Sequence, residues 1–146
     1  MISFEINQQV GRKISRSKWQ RWLKKIEQTL KIKKPLEISL AIVGDSAIKK
    51  LNKIYRAKNQ VTDILSFGEI DSKVKTGGPA DNYLGEIIIC YPQALKQARL
   101  AGNSLDSELE LLLIHGFLHL LGHDHQKAKE AEIMRKFEQK VLDFHL

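Results

Sequence analysis

The sequence predicts a single α+β domain, spanning residues 1–146, in which about five helices pack on a small mixed sheet of four strands. Its 146 residues, 42% of them hydrophobic and 28% charged, suit one globular domain with a real core. Apolar residues follow helical spacing in five segments and strand-like spacing in four shorter ones. The order of these elements, β-α-β-α-β-β-α-α-α, favours an α+β fold over strictly alternating units.

The first third of the chain predicts a strand, a helix and a second strand. Residues 2–7 resemble an edge strand, and Ser17 with Gln20 forms a capping box that opens the first helix. Pro35 ends that helix, and alternating apolar residues over 36–42 then predict a half-buried strand. One stripe of the helix should face the core: Trp19, Trp22, Leu23, Ile26 and Leu30.

The middle of the chain predicts a second helix, a third strand and a loop. Gly44 and Asp45 open the helix, and residues 62–67 form the strand. The polar segment 68–82 is expected to form a loop that borders an active site. The helix should turn one set of side chains inward: Ala47, Ile48, Leu51, Ile54 and Tyr55.

The last part predicts a buried strand followed by three helices. Residues 84–91 are continuously apolar apart from Glu86, which is typical of a strand covered on both faces. Pro92 suits the first turn of the next helix and Gly102 its end. Asn103 or Ser104 should cap a helix that runs to Leu121. A final helix over 127–143 should place Ala131, Met134, Phe137 and Val141 inward.

Composition and sequence patterns predict the cellular compartment of the protein. The longest apolar run, residues 111–114, is far too short for a membrane span, and the first residues lack the pattern of an export signal. Cys90 is the one cysteine, so no internal disulfide can form, and its apolar surroundings predict a buried core thiol. These features predict a cytoplasmic protein without a membrane partner.

Positive charge is concentrated near the start of the chain. Residues 12–34 contain ten Lys or Arg and one acid, so this segment has a net charge of +9. The whole chain has a net charge of +7, so the remaining residues sum to −2. Such a block suits a polyanion, with Lys18, Arg21 and Lys25 as candidate RNA contacts on the first helix. The alternative is a solvated, lysine-rich helix face.

The histidines carry the strongest chemical pattern. Four of the chain's five histidines lie within residues 115–125. His115 and His119 are one helical turn apart on one face, and Gly122 can take the left-handed conformation that ends a helix. Either His123 or His125 could then return to the same point. Three imidazoles and an open fourth position are typical of a catalytic zinc site, here at the end of a buried helix.

The same spacing, H-x3-H-x5-H, also occurs in metzincin-type peptidases. Those enzymes carry a glutamate directly after the first histidine, and it acts as the general base. Here that place is taken by Gly116, which cannot transfer a proton. Met134 sits on an inner helical stripe, which is typical of core rather than of a methionine turn. The peptidase interpretation is therefore disfavoured.

Four blocks in a fixed order resemble the YbeY family of endoribonucleases. They are Leu51–Arg56, Thr62–Phe67, Leu84–Ile87 and the histidine motif. The resemblance covers nearly the whole chain and is weakest over the first thirty or so residues. The chain departs from the common family pattern at Asn59, Val61, Gly68 and His123.

The resemblance implies site residues. His115, His119 and His125 would bind one catalytic Zn²⁺ per chain, or another divalent transition metal, and His123 is a possible competing ligand. Arg56 would be the basic residue of the cleft, unless it forms an ordinary salt bridge at a helix end. The strand of residues 62–67 should line the cleft, with Ser66 near the metal.

The resemblance also implies a function. The chain is expected to be a single-strand-specific, metal-dependent endoribonuclease that matures the 3′ end of small-subunit (16S) rRNA and helps to remove defective ribosomes. Expected partners are single-stranded precursor rRNA, the ribosome, a small-subunit protein and a ribosome-assembly GTPase. The rival hypothesis is a non-catalytic assembly factor whose zinc is structural and whose basic face docks on the ribosome.

Overall fold

The structure, a computed structural model, describes residues 1–68, 82–123 and 128–144. Strands and helices in these ranges follow the order that the sequence predicts. They are β1 (Ile2–Gln8), α1 (Arg16–Thr29), β2 (Leu36–Val43), α2 (Asp45–Arg56), β3 (Ile64–Gly68), β4 (Tyr83–Cys90), α3 (Tyr91–Ala101), α4 (Leu105–Leu120) and α5 (Ala128–Leu142).

The strands form one mixed sheet in the order β1-β2-β4-β3. β1 pairs with β2 and β2 with β4 in parallel, whereas β3 runs antiparallel to β4. Strand β4 is therefore central, and β3 is an edge strand. The predicted α+β class and small mixed sheet are confirmed.

Two clusters of apolar side chains cover the two faces of the sheet. The larger one joins α1, α4 and α5 to the sheet, and its fully buried members include Trp19, Ile38, Ile87 and Phe117. The smaller one lies under α2, and its buried members are Val43, Ile48, Leu65, Phe67, Ile88 and Cys90. Cys90 is fully buried, as the sequence predicts. Helix α4 thus lies on one face of the sheet, and α2 lies on the other.

Helix ends show where the predicted caps were right or wrong. Ser15, not Ser17, caps α1, because its side chain accepts the Lys18 N–H and Ser17 already lies within the helix. Ser104 caps α4 by accepting the Ser107 N–H. Gly102 ends α3 with a φ of +70°, the left-handed conformation expected of a glycine there.

The inner face of α2 was predicted partly wrong. Ile48 is fully buried, and Ala47 and Leu51 pack on the smaller cluster, but Ile54 is 59% exposed and Tyr55 42% exposed. Tyr55 instead packs its ring 5.2 Å from that of Phe67. The last turn of α2 therefore does not bury its apolar face as the helical periodicity predicted.

Other boundaries shift by one or two residues. Strand β3 begins at Ile64 rather than Thr62, and Tyr91 begins α3 rather than ending β4. Of the predicted loop 68–82, residues 69–81 lie outside the described residues. Among the helices that are described, none is both long and apolar enough to span a membrane.

Candidate functional site

Helix α4 carries the paired histidines, and it is apolar around most of its circumference. Leu109, Leu113 and Phe117 are fully buried, whereas the side chains of His115 and His119 are only partly buried. A helix this apolar is stable only inside the domain, so its position is fixed by packing on the sheet and on α1, α3 and α5. The two imidazoles therefore lie one turn apart on the part of α4 that the core leaves open.

A carboxylate on α5 contacts the first of these histidines. Nδ1 of His115 lies 3.0 Å from Oε1 of Glu138, and the two side chains are 30% and 17% exposed. An ionised carboxylate only accepts hydrogen bonds, so the contact requires a hydrogen on Nδ1. In the neutral imidazole this leaves Nε2 as the nitrogen with a lone pair, which is the form that binds a metal.

Glu138 was not identified from the sequence, although a signal existed. It follows Met134 by four residues and precedes Val141 by three, and both of those are buried. A carboxylate beside the inner stripe of an amphipathic helix requires a polar partner. The sequence could not name that partner because His115 lies 23 residues away on another helix.

Gly116 lies against the sheet, where there is no room for a larger residue. A Cβ placed on it would lie 2.9 Å from Cδ1 of Ile64, 3.0 Å from Cγ2 of Ile87 and 3.2 Å from Oγ of Ser66. The position after His115 therefore faces packed side chains and not the open side of the helix. A glutamate in this position could not reach the site without displacing the strands, which is a structural argument against peptidase chemistry.

Arg56 lies at the edge of β3. The Asp63 carbonyl accepts the Cys90 N–H, so odd-numbered residues of β3 form the hydrogen bonds to β4, and the carbonyl of Ser66 points to the outer edge. Nη2 of Arg56 donates to that carbonyl at 2.8 Å, and its guanidinium lies 4.8 Å from the centre of the Phe67 ring. The cation is thus held in place by a backbone acceptor and an aromatic face.

Ser66 connects Arg56 to the histidine helix. Its carbonyl accepts from Arg56, and its side-chain oxygen faces Gly116 on α4. The structure therefore places Arg56 and the turn between His115 and His119 against the same short edge strand. In the register of the sheet Phe67 lies opposite Glu86, a half-buried side chain whose pKa is raised by burial.

The chain after α4 turns sharply, as the sequence predicts. Gly122 has a φ of +101°, its N–H donates to the carbonyl of His119 at 2.9 Å, and the His123 N–H donates to the carbonyl of Leu118 at 3.1 Å. This pair of bonds is the Schellman motif that ends a helix at a left-handed glycine.

His123 contacts two side chains of α5. Its Nδ1 lies 3.6 Å from Glu130 Oε2, and its ring packs 5.4 Å from that of Phe137. Within residues 1–68, 82–123 and 128–144, no three His, Cys, Asp or Glu side chains are grouped so as to hold a metal. His125, the third predicted ligand, lies outside these ranges, so the predicted ligand set stays a prediction.

Two of the predicted RNA-binding lysines form ion pairs with α4. Nζ of Lys18 lies 2.7 Å from Asp106 Oδ2, and Nζ of Lys25 lies 2.6 Å from Glu110 Oε2. The Lys25 pair is largely buried, with both side chains less than 15% exposed. Arg21 is exposed on the same helix. These pairs join α1 to the histidine helix, so part of the positive charge on α1 is already balanced.

Residues 2–145 match the family model described as Endoribonuclease YbeY. The chain belongs to this family. Its relatives named Endoribonuclease YbeY include one from Thermodesulfovibrio yellowstonii, 47% identical over 109 residues, which are 73% of this chain and 65% of the relative. Another, from Halalkalibacterium halodurans, is 40% identical over 111 residues, or 73% of this chain and 70% of that protein.

One YbeY relative is much longer than this chain. The Myxococcus xanthus protein is 42% identical over 107 residues, but the match spans 73% of this chain and only 36% of that protein. Among solved structures, the solution structure of a Thermotoga maritima protein superposes with a TM-score of 0.59 at 25% identity. The superposition covers 97% of this chain and 89% of the Thermotoga maritima protein. The fold of the described residues is therefore one already seen in a solved structure.

Proposed function

We propose that this YbeY-family chain is a metal-dependent endoribonuclease that cuts single-stranded precursor rRNA near the 3′ end of the small-subunit rRNA. The observation that carries the proposal is the pair of imidazoles one turn apart on α4, one of which contacts the carboxylate of Glu138 through Nδ1. The family name supplies the reaction, hydrolysis of RNA, and the histidines supply a place where it can occur.

The donor set suits zinc. Two imidazoles one turn apart on a rigid helix, one of them with a carboxylate behind it, match the arrangement that zinc sites use. In this proposal His125 is the third ligand, and one coordination position stays open. An ion held by these histidines would supply Lewis acidity for the phosphodiester and would lower the pKa of bound water.

The protein's own residues orient the substrate and the ligands. Glu138 fixes the ring of His115, and Ser66 fixes the guanidinium of Arg56. A cation held in this way lowers the cost of the negative charge that builds up on phosphorus during attack, because it needs no reorganisation at that moment.

The main rival is a non-catalytic assembly factor with a structural zinc. Structural zinc sites normally have four protein ligands, so this rival needs His123 to join the other three histidines. His123 instead contacts Glu130 and Phe137. That arrangement favours three ligands and an open position, and so the enzyme.

The cellular part of the proposal follows the family. The chain is proposed to act in the cytoplasm on maturing ribosomes and in the removal of defective ones, with a small-subunit protein and a ribosome-assembly GTPase as partners. No transmembrane partner is required by this role.

The test is cleavage of precursor rRNA with the ends of the products mapped. Zinc-loaded wild-type protein should cut near the 3′ end of the small-subunit rRNA, and His119→Ala and Arg56→Ala should not. Arg99→Ala, which changes an exposed arginine on α3, is the matched control and should cut normally. Unchanged cleavage by His119→Ala would overturn the proposal. A folded His119→Ala protein that still complements a deletion strain would favour the assembly factor.

A further inference from the structure

A basic groove lies between the turn after α1 and helix α5. Its volume is about 550 Å³, and its lining includes four lysines and two aromatic rings: Lys31, Lys33, Lys34, Lys140, His123 and Phe137. The groove size is that of a small-molecule or nucleotide-binding site. We refer to it as the lysine groove.

The turn that carries three of these lysines has a fixed shape. Helix α1 ends at Thr29, and Lys31 takes a left-handed conformation with a φ of +55°. The N–H of Ile32 then donates to the carbonyl of Glu27 at 3.0 Å, and strand β2 begins at the buried Leu36. Because both ends are anchored, the lysines between them are held beside α5.

The lysines of the groove differ from Lys18 and Lys25 of α1 in their ion pairing. Lys18 and Lys25 are neutralised by acids of α4, whereas Lys31, Lys33, Lys34 and Lys140 are exposed, and no carboxylate of the described residues lies within 4.0 Å of their amines. On α1 itself Arg21 and Lys24 are also exposed, so the groove is distinguished by the grouping of its lysines around one concave surface. Uncompensated lysines concentrated around a concave surface attract a polyanion.

The groove and the histidine site share two elements, helix α5 and the end of α4. Phe137 on its wall is followed by Glu138, the partner of His115. His123 on its wall directly follows the turn that ends α4, two residues after Leu121. An extended polyanion bound in the groove could thus continue along α5 and the end of α4 towards the paired imidazoles.

We propose that the lysine groove binds a stretch of single-stranded RNA beside the phosphodiester that is cut. The proposal rests on the proposed function for the identity of the polyanion. Lysines on the rim would contact phosphates, and the rings of Phe137 and His123, with the 39% exposed Leu121, offer surfaces on which unpaired bases stack. Rings beside unpaired lysines favour RNA over an acidic peptide, which has no flat bases to stack.

The test is the salt dependence of binding to an RNA of about 12 nucleotides, within the range of single-strand site sizes. A 2′-O-methyl RNA and metal-free protein remove cleavage from the measurement. The variant Lys33→Gln/Lys34→Gln should make the negative slope of log K against log[salt] shallower by about 1.4, since each phosphate contact on a single strand contributes about −0.7. Between 50 and 200 mM salt, its affinity should fall about sevenfold less than that of the wild type.

The matched control is Lys49→Gln/Lys50→Gln, which removes the same charge from exposed positions on α2. This control should keep the wild-type slope. An unchanged slope in the groove variant, or equal changes in both variants, would overturn the proposal. Displacement of the RNA by poly-glutamate at equal charge concentration would reassign the groove to an acidic protein partner.

The same experiment separates this proposal from the proposed function. If the wild type cuts precursor rRNA while the groove variant binds RNA normally, the groove assignment fails and the enzyme assignment stands. If binding depends on the groove but the wild type cuts no RNA, the enzyme assignment fails and the groove stands.

Discussion

Removal of Glu138 should weaken zinc binding without unfolding the protein. The carboxylate lies 3.0 Å from His115 Nδ1, with both side chains largely shielded from water. A hydrogen bond to a charged group in such a place contributes about 1.5–3 kcal/mol. Loss of such a partner behind a metal-binding histidine costs about 10–100-fold in metal affinity. Glu138→Ala should therefore bind zinc about 10–100-fold more weakly than wild type.

Two further variants make the interpretation specific. Glu138→Gln keeps an oxygen that accepts from Nδ1–H, so it should retain more of the zinc affinity than the alanine variant. Glu132→Gln removes the same charge from an exposed carboxylate on α5, 3.6 Å from Lys136, and should leave zinc affinity unchanged.

The assay is competition with a chelator, supported by ¹⁵N NMR of the His115 ring. Wild-type protein should show the hydrogen on Nδ1, and Glu138→Ala should show a mixture of the two tautomers. If Glu138→Ala binds zinc as tightly as the wild type, or if Glu132→Gln weakens binding equally, the orienting role is refuted. If the wild-type protein binds no zinc at all, the metal proposal itself is refuted.

Three other predictions concern stability and reactivity. Gly116→Glu should lower the free energy of unfolding by about 3 kcal/mol or more, because the glutamate side chain would enter the space filled by Ile64 and Ile87. An unchanged midpoint of urea unfolding would contradict this packing. Burial raises the pKa of Glu86 from its ordinary value of 4.5, so the folded state loses stability as the pH rises through the raised pKa. Glu86→Gln should thus be more stable than wild type in urea at pH 7.5, with the difference vanishing below the ordinary pKa. Burial of the Cys90 thiol, together with the neighbouring Asp45 carboxylate, raises its pKa to about 11. About one thiol in a thousand is then ionised at pH 8, so a thiol reagent should label the protein only when it unfolds.

Local patterns were sufficient to predict most elements and the placement of two histidines one turn apart on α4. Helix α4 was identifiable because its apolar residues and its Ser104 cap are local features, and the left-handed Gly122 follows from the same stretch of sequence. The pairing of His115 with His119 needs only helical geometry. These features depend on neighbours within about one or two turns.

Features formed between distant segments were not predictable in this way. The order β1-β2-β4-β3 depends on which strands meet, and the Lys25–Glu110 contact joins residues 85 apart. The partner of His115 and the acceptor of Arg56 are equally non-local or set by strand register. The exposed Ile54 shows the converse, since helical spacing predicts an inner face but not how far the sheet extends beneath it.

The position of β3 has a consequence for motion. It hydrogen-bonds to a neighbouring strand on one side, and the guanidinium of Arg56 meets its other side, so detaching it disturbs less structure than detaching β4 would. Amide exchange should accordingly be faster along 64–68 than along 86–89. If β3 detaches at a small cost in free energy while α4 stays packed, the edge of the sheet can adapt to RNA chains of differing shape. The imidazoles on α4 would then keep their positions.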